Sequence, residues 1–275
     1  KNSGRRMCVQ SESNAEIRRK RRMKRKRRKK IIKILLLLFL IILAIIFGFV
    51  LFLKKGEHKP YTIGLDAGHG GEDVGAIGYI EEVELTEKTV DFLQELLEKD
   101  GRFKIVRSRK NGEDIGITKR KEILLKQKPD LILSIHGNSD PTGTARGFEC
   151  YPSPPGRYNH EISYYFAVCI AESMAEVGNH LRGENGVRYA YYVTDQNGNT
   201  QKAIKEISDT MVYAQQSFGM VENLKCPSVL VEQCFVTNQQ DVEQFGNETG
   251  CKLAASAYYK AICKYNVFSI YLAEL

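Results

Sequence analysis

Residues Ile34 to Leu53 form twenty consecutive positions without a charged or polar side chain. At about 1.5 Å per helical residue such a run covers roughly 30 Å, the thickness of a bilayer's hydrocarbon core. It is preceded by a basic block from Arg18 to Lys30, broken only by Met23, and followed only by Lys54, Lys55 and Lys59. That excess of cations predicts a cytoplasmic N-terminal side, with everything after the span outside. A cleaved signal peptide is the rival reading, but the apolar run is too long for one and Phe47 to Lys55 offers no small-x-small cleavage site. The expected organisation is therefore a basic cytoplasmic tail over 1–33, one retained transmembrane helix over 34–53 and a link over 54–60. A folded extracytoplasmic domain follows over 61–265, then a short tail over 266–275. Fully extended, the link reaches about 25 Å, which keeps the folded domain near the membrane.

The net charge of +8 would point to nucleic acid if the cations shared a face with stacking aromatic residues. They do not. From Gly56 onward 31 acidic residues outnumber 23 basic ones, so the outer domain is acidic and nucleic acid is not an expected partner. Membrane topology accounts for the basic block without a lipid-headgroup or localisation signal. Of seven cysteines, Cys8 falls on the cytoplasmic side and Cys150, Cys169, Cys226, Cys234, Cys251 and Cys263 outside. No C-x-x-C pair occurs and several sit in apolar runs, where they read as packing groups; their pairing stays open.

From Tyr61 short apolar runs alternate with stretches of helical period, the pattern of an α/β fold with a mainly parallel sheet. Tyr61 to Leu65, Phe103 to Arg107, Leu131 to Ile135 and Ser228 to Val231 read as strands. Leu85 to Leu97, Ile115 to Lys126, Ile162 to Val177 and Cys251 to Cys263 read as helices. The third is clearest, because Ile162, Tyr165, Phe166, Cys169, Ile170, Met174 and Val177 keep the spacing of one buried stripe. The segment 189–216, rich in tyrosine and turn residues, reads as an inserted loop or lid. Within it Asp195, Asn197, Asn199 and Glu206 match positions of a calcium loop, but Thr200 stands where that loop needs glycine, so a plain turn is expected.

Three chemically capable side chains fall just past apolar strands: His69, His136 and Glu232. In open parallel sheets the carboxyl ends of the strands form the ligand crevice, so these residues can converge from distant parts of the chain. His69 lies in a glycine-dense loop that permits close backbone approach to a bound centre. Each of the three taken alone also fits a structural role. A lone histidine at a strand end is usually a hydrogen-bonding group, and Glu232 can be a salt-bridged acid. His58, His160 and His180 lie in polar contexts and carry no such signal. Asp66 and Asp73 read as turn or ligand-supporting groups. The glycine run lacks both common phosphate-loop spacings.

Asp-Ala-Gly-His-Gly-Gly-Glu-Asp-Val-Gly-Ala (66 to 76), Ser-Ile-His-Gly-Asn (134 to 138) and Ser-Val-Leu-Val-Glu-Gln-Cys-Phe-Val-Thr-Asn (228 to 238) resemble the three signature blocks of the zinc-dependent N-acetylmuramoyl-L-alanine amidase family 3. The resemblance covers about Tyr61 to Tyr265. It implies a three-layer αβα domain of the phosphorylase/hydrolase-like kind, one Zn2+ per domain, and peptidoglycan as substrate. Carried over by position, it implies that His69 and His136 are zinc ligands and that Glu232 is the catalytic acid. The family's third ligand is a glutamate at the start of a helix after the first block. Glu81, Glu82, Glu84 and Glu87 compete for it, and Glu82-Val-Glu-Leu-Thr86 best resembles the family's stretch. Ala67 in place of a usual proline, Cys234 in place of a glycine and the 189–216 insertion are departures, none of which removes a ligand. The implied reaction is hydrolysis of the amide between the lactyl group of N-acetylmuramic acid and L-alanine, with water at an open zinc position. A zinc peptidase of related fold and an inactive wall-binding protein are the alternatives.

Overall fold

The computed structural model describes residues 22–47 and 59–273. The chain divides into two compact units, Lys1–Lys59 and Pro60–Leu275. In the first, α1 (Arg22–Phe47) is a continuous helix, long and apolar enough to cross a membrane. Its large apolar residues from Ile31 to Phe47 are exposed, so the helix has no protein core of its own to pack into. Positions 48–53 of the expected span and 54–58 of the expected link lie outside the described residues.

The second unit is built on a five-stranded sheet, in which β1 (Tyr61–Ala67), β2 (Phe103–Arg107), β3 (Leu131–Asn138), β4 (Glu149–Pro152) and β7 (Ser228–Phe235) take the order β2-β1-β3-β7-β4. The first four in that order are parallel, and β4 closes the edge antiparallel to β7. All eight residues of β7 are buried, as a central strand covered on both faces requires. Period-2 alternation then sends side chains to opposite layers. Leu131, Leu133 and Ile135 join a core with α2 (Glu82–Lys99), α4 (His160–Glu176) and α6 (Glu248–Ala273), while Ile132 packs with Leu124 of α3 (Ile117–Lys126) and with Met220 and Leu224 on the other face. Gly64 permits that second layer to close, since a Cβ there would sit 3.0 Å from Ile132 Cγ1.

Three elements depart from the sequence expectation. The predicted loop 189–216 contains an antiparallel hairpin, β5 (Arg188–Thr194) and β6 (Thr200–Glu206), with only the stretch after it irregular. Its turn is the plain one expected: Asp195 accepts from the backbone N–H groups of Asn197 and Asn199, and Glu206 pairs with Arg188. The strand β4 had no apolar run to announce it. The closing helix α6 continues to Ala273, well past Cys263 and through most of the segment expected as a tail; it follows a short α5 (Gln239–Asp241) and a π-helical turn over Val242–Gly246. The six cysteines of this unit are free thiols, five of them buried.

Candidate metal centre

The loop leaving β1 carries His69 with φ 60°, a left-handed backbone that costs a non-glycine residue roughly 1 kcal/mol and needs outside support. Buried cations supply it. Arg109 donates from Nε to the Ala67 carbonyl at 3.1 Å and from Nη2 to the Gly68 carbonyl at 3.0 Å. Arg120 donates to the same Ala67 carbonyl and to Asp66 Oδ1, and Thr86 Oγ1 donates to the Gly68 carbonyl. Asp66 is fully buried and also accepts from Ser108 and Ser134, so it fixes the end of β1 from below and does not face the cavity as a ligand.

His69, Glu82 and His136 are brought together, with one nitrogen or oxygen from each within 4.8 Å of the others. Glu82 is the first residue of α2, where the helix dipole favours a carboxylate. Its Oε1 accepts from the Gly137 N–H at 3.0 Å and its Oε2 from the Ala76 N–H at 2.9 Å, which pins the carboxylate. His136 Nδ1 lies 2.8 Å from Oε1 and His69 Nε2 lies 3.1 Å from Oε2. Burial alone would raise the Glu82 carboxyl, but the two imidazoles hold it well below the usual range. For His69 burial would lower the imidazole, and the contacts with Glu82 and Asp73 outweigh that and raise it. Asp73 stands 3.0 Å from His69 Nδ1, on the side of the ring away from Glu82. Glycine is required twice. A Cβ at Gly68 would sit 2.5 Å from the His136 ring, and one at Gly75, where φ is +71°, would sit 2.6 Å from Glu82 Oε2.

The neighbouring acids do not join the cluster. Glu81 precedes the helix, Glu84 pairs with Lys88, and Glu87 pairs with the buried Arg109. His160 stacks near Tyr164 and His180 lies in the loop facing Gly147, so neither joins the cluster; His58 is outside the described residues. Two imidazoles and one carboxylate, with His69 backed by Asp73 and Glu82 held by two backbone N–H groups at the start of a helix, form a donor set that can hold a metal ion.

Glu232 lines the same cavity, a cleft of about 320 Å³. It is 6% exposed and its Oε2 has no hydrogen-bond partner among the described residues. Burial raises its carboxyl to about 7, with Glu82 and Glu149 adding to the shift and His136 and Lys202 opposing it. The contrast with Glu149 is instructive, because the two face each other across the β4–β7 pair. Glu149 is paired by Arg182 and Arg188 and accepts from Tyr151 and Asn138, whereas Glu232 is left bare toward the cavity. The other wall comes from the hairpin and the segment before β7: Tyr192, Lys202 and Phe218.

Sequence reasoning missed Arg109, Arg120, Glu149 and the hairpin wall. Charged residues in a loop, a helix and a short edge strand carry no signal that distinguishes them from surface groups, and the polar strand β6 gives no apolar alternation.

Comparisons with known proteins agree with this geometry. A family model described as N-acetylmuramoyl-L-alanine amidase matches residues 63–264. Among curated proteins, the probable N-acetylmuramoyl-L-alanine amidase AmiB of Haemophilus influenzae is 27% identical over 239 residues, covering 80% of this chain and 54% of that one. The chain thus spans about half the length of that relative. A putative N-acetylmuramoyl-L-alanine amidase of Buchnera aphidicola is 25% identical over 236 residues and is covered over 99% of its length, against 78% of this chain. The fold is shared with the crystal structure of N-acetylmuramoyl-L-alanine amidase from Clostridium difficile 630, at a TM-score of 0.60 and 21% identity, covering 76% of this chain and 97% of that one. With the family model spanning residues 63–264, and with them His69, Glu82, His136 and Glu232, the chain belongs to the N-acetylmuramoyl-L-alanine amidase family.

Proposed function

We propose that this chain is a zinc-dependent peptidoglycan amidase, with His69, Glu82 and His136 holding one Zn2+ and Glu232 as the catalytic acid and base. The observation that carries the reading is the His–Glu–His cluster sharing one cavity with a buried carboxyl that has no partner. The bond cleaved is the amide between the lactyl group of N-acetylmuramic acid and L-alanine. The basic tail and the apolar α1 support a single-pass anchor with the catalytic domain outside the cytoplasm.

Zinc bound at this donor set supplies positive charge that polarises the scissile carbonyl and acidifies water. Glu82, pinned by two backbone N–H groups, and His69, backed by Asp73, keep the donor atoms fixed. Glu232 takes a proton from the attacking water and passes it to the departing L-alanine amine, leaving a carboxylate on the lactyl group. In the metal-free protein burial raises the Glu232 carboxyl, and a zinc ion in the same cavity would favour its carboxylate, the form that accepts the proton of water. No serine or cysteine nucleophile is involved.

The test is digestion of purified peptidoglycan by the full chain in detergent. Release of stem peptides should stop on chelation and return with zinc; undiminished release under chelation would overturn the metal-dependent reading. Asp73→Ala should weaken zinc binding by about 10–100-fold, since a carboxylate behind a ligating imidazole fixes its tautomer and orientation. Competition with a chromophoric chelator measures this, and an unchanged affinity would remove Asp73 from that role.

A further inference from the structure

The closing helix α6 runs the length of the sheet and then continues past it. It begins at the end that carries the metal centre, where the Cys251 thiol reaches the Leu85 carbonyl in the first turn of α2 at 3.9 Å. It arrives at the opposite end, where Arg102 donates to Cys263 Sγ at 3.2 Å and the Tyr265 ring stands 6.5 Å from that of Tyr61, the first residue of β1. The family model stops at residue 264, but the helix does not. Asn266 is still buried, Val267 is 64% exposed, and the helix continues to Ala273. At about 1.5 Å per residue, 267–273 add roughly 10 Å of helix beyond that point. The sequence from Tyr265 to Ala273 carries no charge and includes Phe268, Ile270, Tyr271 and Leu272. The same end of the sheet presents cations. Lys59, Lys128 and Lys225 are exposed in the connections leading into β1, β3 and β7, and among the described residues neither Lys128 nor Lys225 is in an ion pair. The acids of the connections at this end are held: Asp100 by Arg102, Asp130 by the Thr62 N–H and Glu222 by Arg157. Lys128 and Lys225 border a recess of about 480 Å³ lined also by Leu125, Pro129 and Cys226. Tyr158, 75% exposed, lies next to Asn159, which donates to the Leu224 carbonyl at 2.9 Å beside that recess.

We propose that this end of the catalytic domain rests on the bilayer, with the 267–273 extension of α6 entering the lipid interface and the exposed lysines meeting anionic headgroups. The inference rests on the single-pass anchor reading above. On that reading the chain reaches Tyr61 from its apolar span through 54–60, a link that extends to about 25 Å at most. A lipid surface is then within reach of the amino end of β1 and of the α6 end beside it. An uncharged helix end with aromatic residues in its sequence, neighboured by lysines, has the composition that partitions to the headgroup boundary. The consequence is orientation. The catalytic cavity lies at the carboxyl ends of β3 and β7, roughly 15–20 Å away by strand length, so a domain seated on its other end opens that cavity away from the membrane and toward the wall.

The chain has no tryptophan, so a single introduced one reports on its own surroundings. Val267→Trp is compared with Ile77→Trp, a control beside the cavity at a position that is 68% exposed. Each is made in the full chain and reconstituted in phosphatidylglycerol vesicles whose acyl chains are brominated or not. Brominated lipid should quench most of the emission of Val267→Trp and leave that of Ile77→Trp unchanged. Adding Lys128→Glu and Lys225→Glu to Val267→Trp should reduce the quenching in phosphatidylglycerol and not in neutral phosphatidylcholine; quenching in phosphatidylglycerol that ignores these changes removes the headgroup contact. An unquenched Val267→Trp, in a chain that still floats with the vesicles after a carbonate wash, overturns the inference and leaves the anchor standing. Emission shifted to shorter wavelength without quenching does the same, since protein and not lipid would then cover the helix end. Equal quenching at both positions overturns the orientation. A chain that does not float removes the anchor reading, and this inference with it.

Discussion

Replacing Glu232 with glutamine is expected to lower amide hydrolysis by about 10²–10⁴-fold while leaving zinc content and the fold intact. Glutamine is nearly isosteric with glutamate and fits the same buried position within β7, but it cannot accept a proton. Loss of zinc in Glu232→Gln would instead make this residue a ligand, and substantial residual turnover would move the proton transfers elsewhere. The same variant has a second signature in the metal-free protein. Burial lifts the Glu232 carboxyl from 4.5 to about 7, so the folded state binds this proton more tightly than the unfolded chain does. Its contribution to stability is fully present below about 4.5 and is lost as pH rises through about 7. Glutamine does not titrate. The unfolding temperature of metal-free Glu232→Gln relative to wild type should therefore rise between pH 4.5 and pH 8. A difference independent of pH would mean that the carboxyl is not shifted upward by folding.

The second large effect concerns the metal ligands. His69→Ala, His136→Ala and Glu82→Ala should each lose zinc and with it hydrolysis, whereas Glu81→Ala and Glu84→Ala should keep both. The discrimination among these glutamates is geometric. The Glu82 carboxylate lies 2.8 Å from His136 and 3.1 Å from His69, while Glu84 points to Lys88 on the exposed side of α2. Elemental analysis of the five purified variants checks the pattern. Full zinc occupancy in Glu82→Ala, or its loss in Glu81→Ala, would reassign the third ligand.

Much of this site was legible before any coordinates, because its parts stand where parallel strands end. Tyr61 to Leu65, Leu131 to Ile135 and Ser228 to Val231 fall in largely buried strands, the last two with continuous apolar runs, and His69, His136 and Glu232 come just after them. The structure extends those strands by two to four residues, so that His136 and Glu232 sit within β3 and β7 and are direct neighbours in the register. The choice of Glu82 over its neighbours rested on resemblance, since four glutamates within seven residues give no spacing signal of their own. The hairpin was hidden for a different reason: Thr200–Glu206 is a polar, half-exposed ribbon with no apolar alternation, whose order comes from pairing with the adjacent β5 and not from a buried face of its own. Arg109 and Arg120 were invisible because their partners are backbone carbonyls of a loop more than 40 residues away.

The central claim is the identity of the bond that is cut, and end-group analysis of the products tests it most directly. Purified peptidoglycan digested by the zinc-loaded chain should yield glycan strands ending their lactyl groups in free carboxylates. The released stem peptides should carry L-alanine as the only new amino terminus by mass spectrometry. New amino termini at any other stem residue, with the lactyl–alanine amide intact, would contradict the account and identify a peptidase built on the same ligand set.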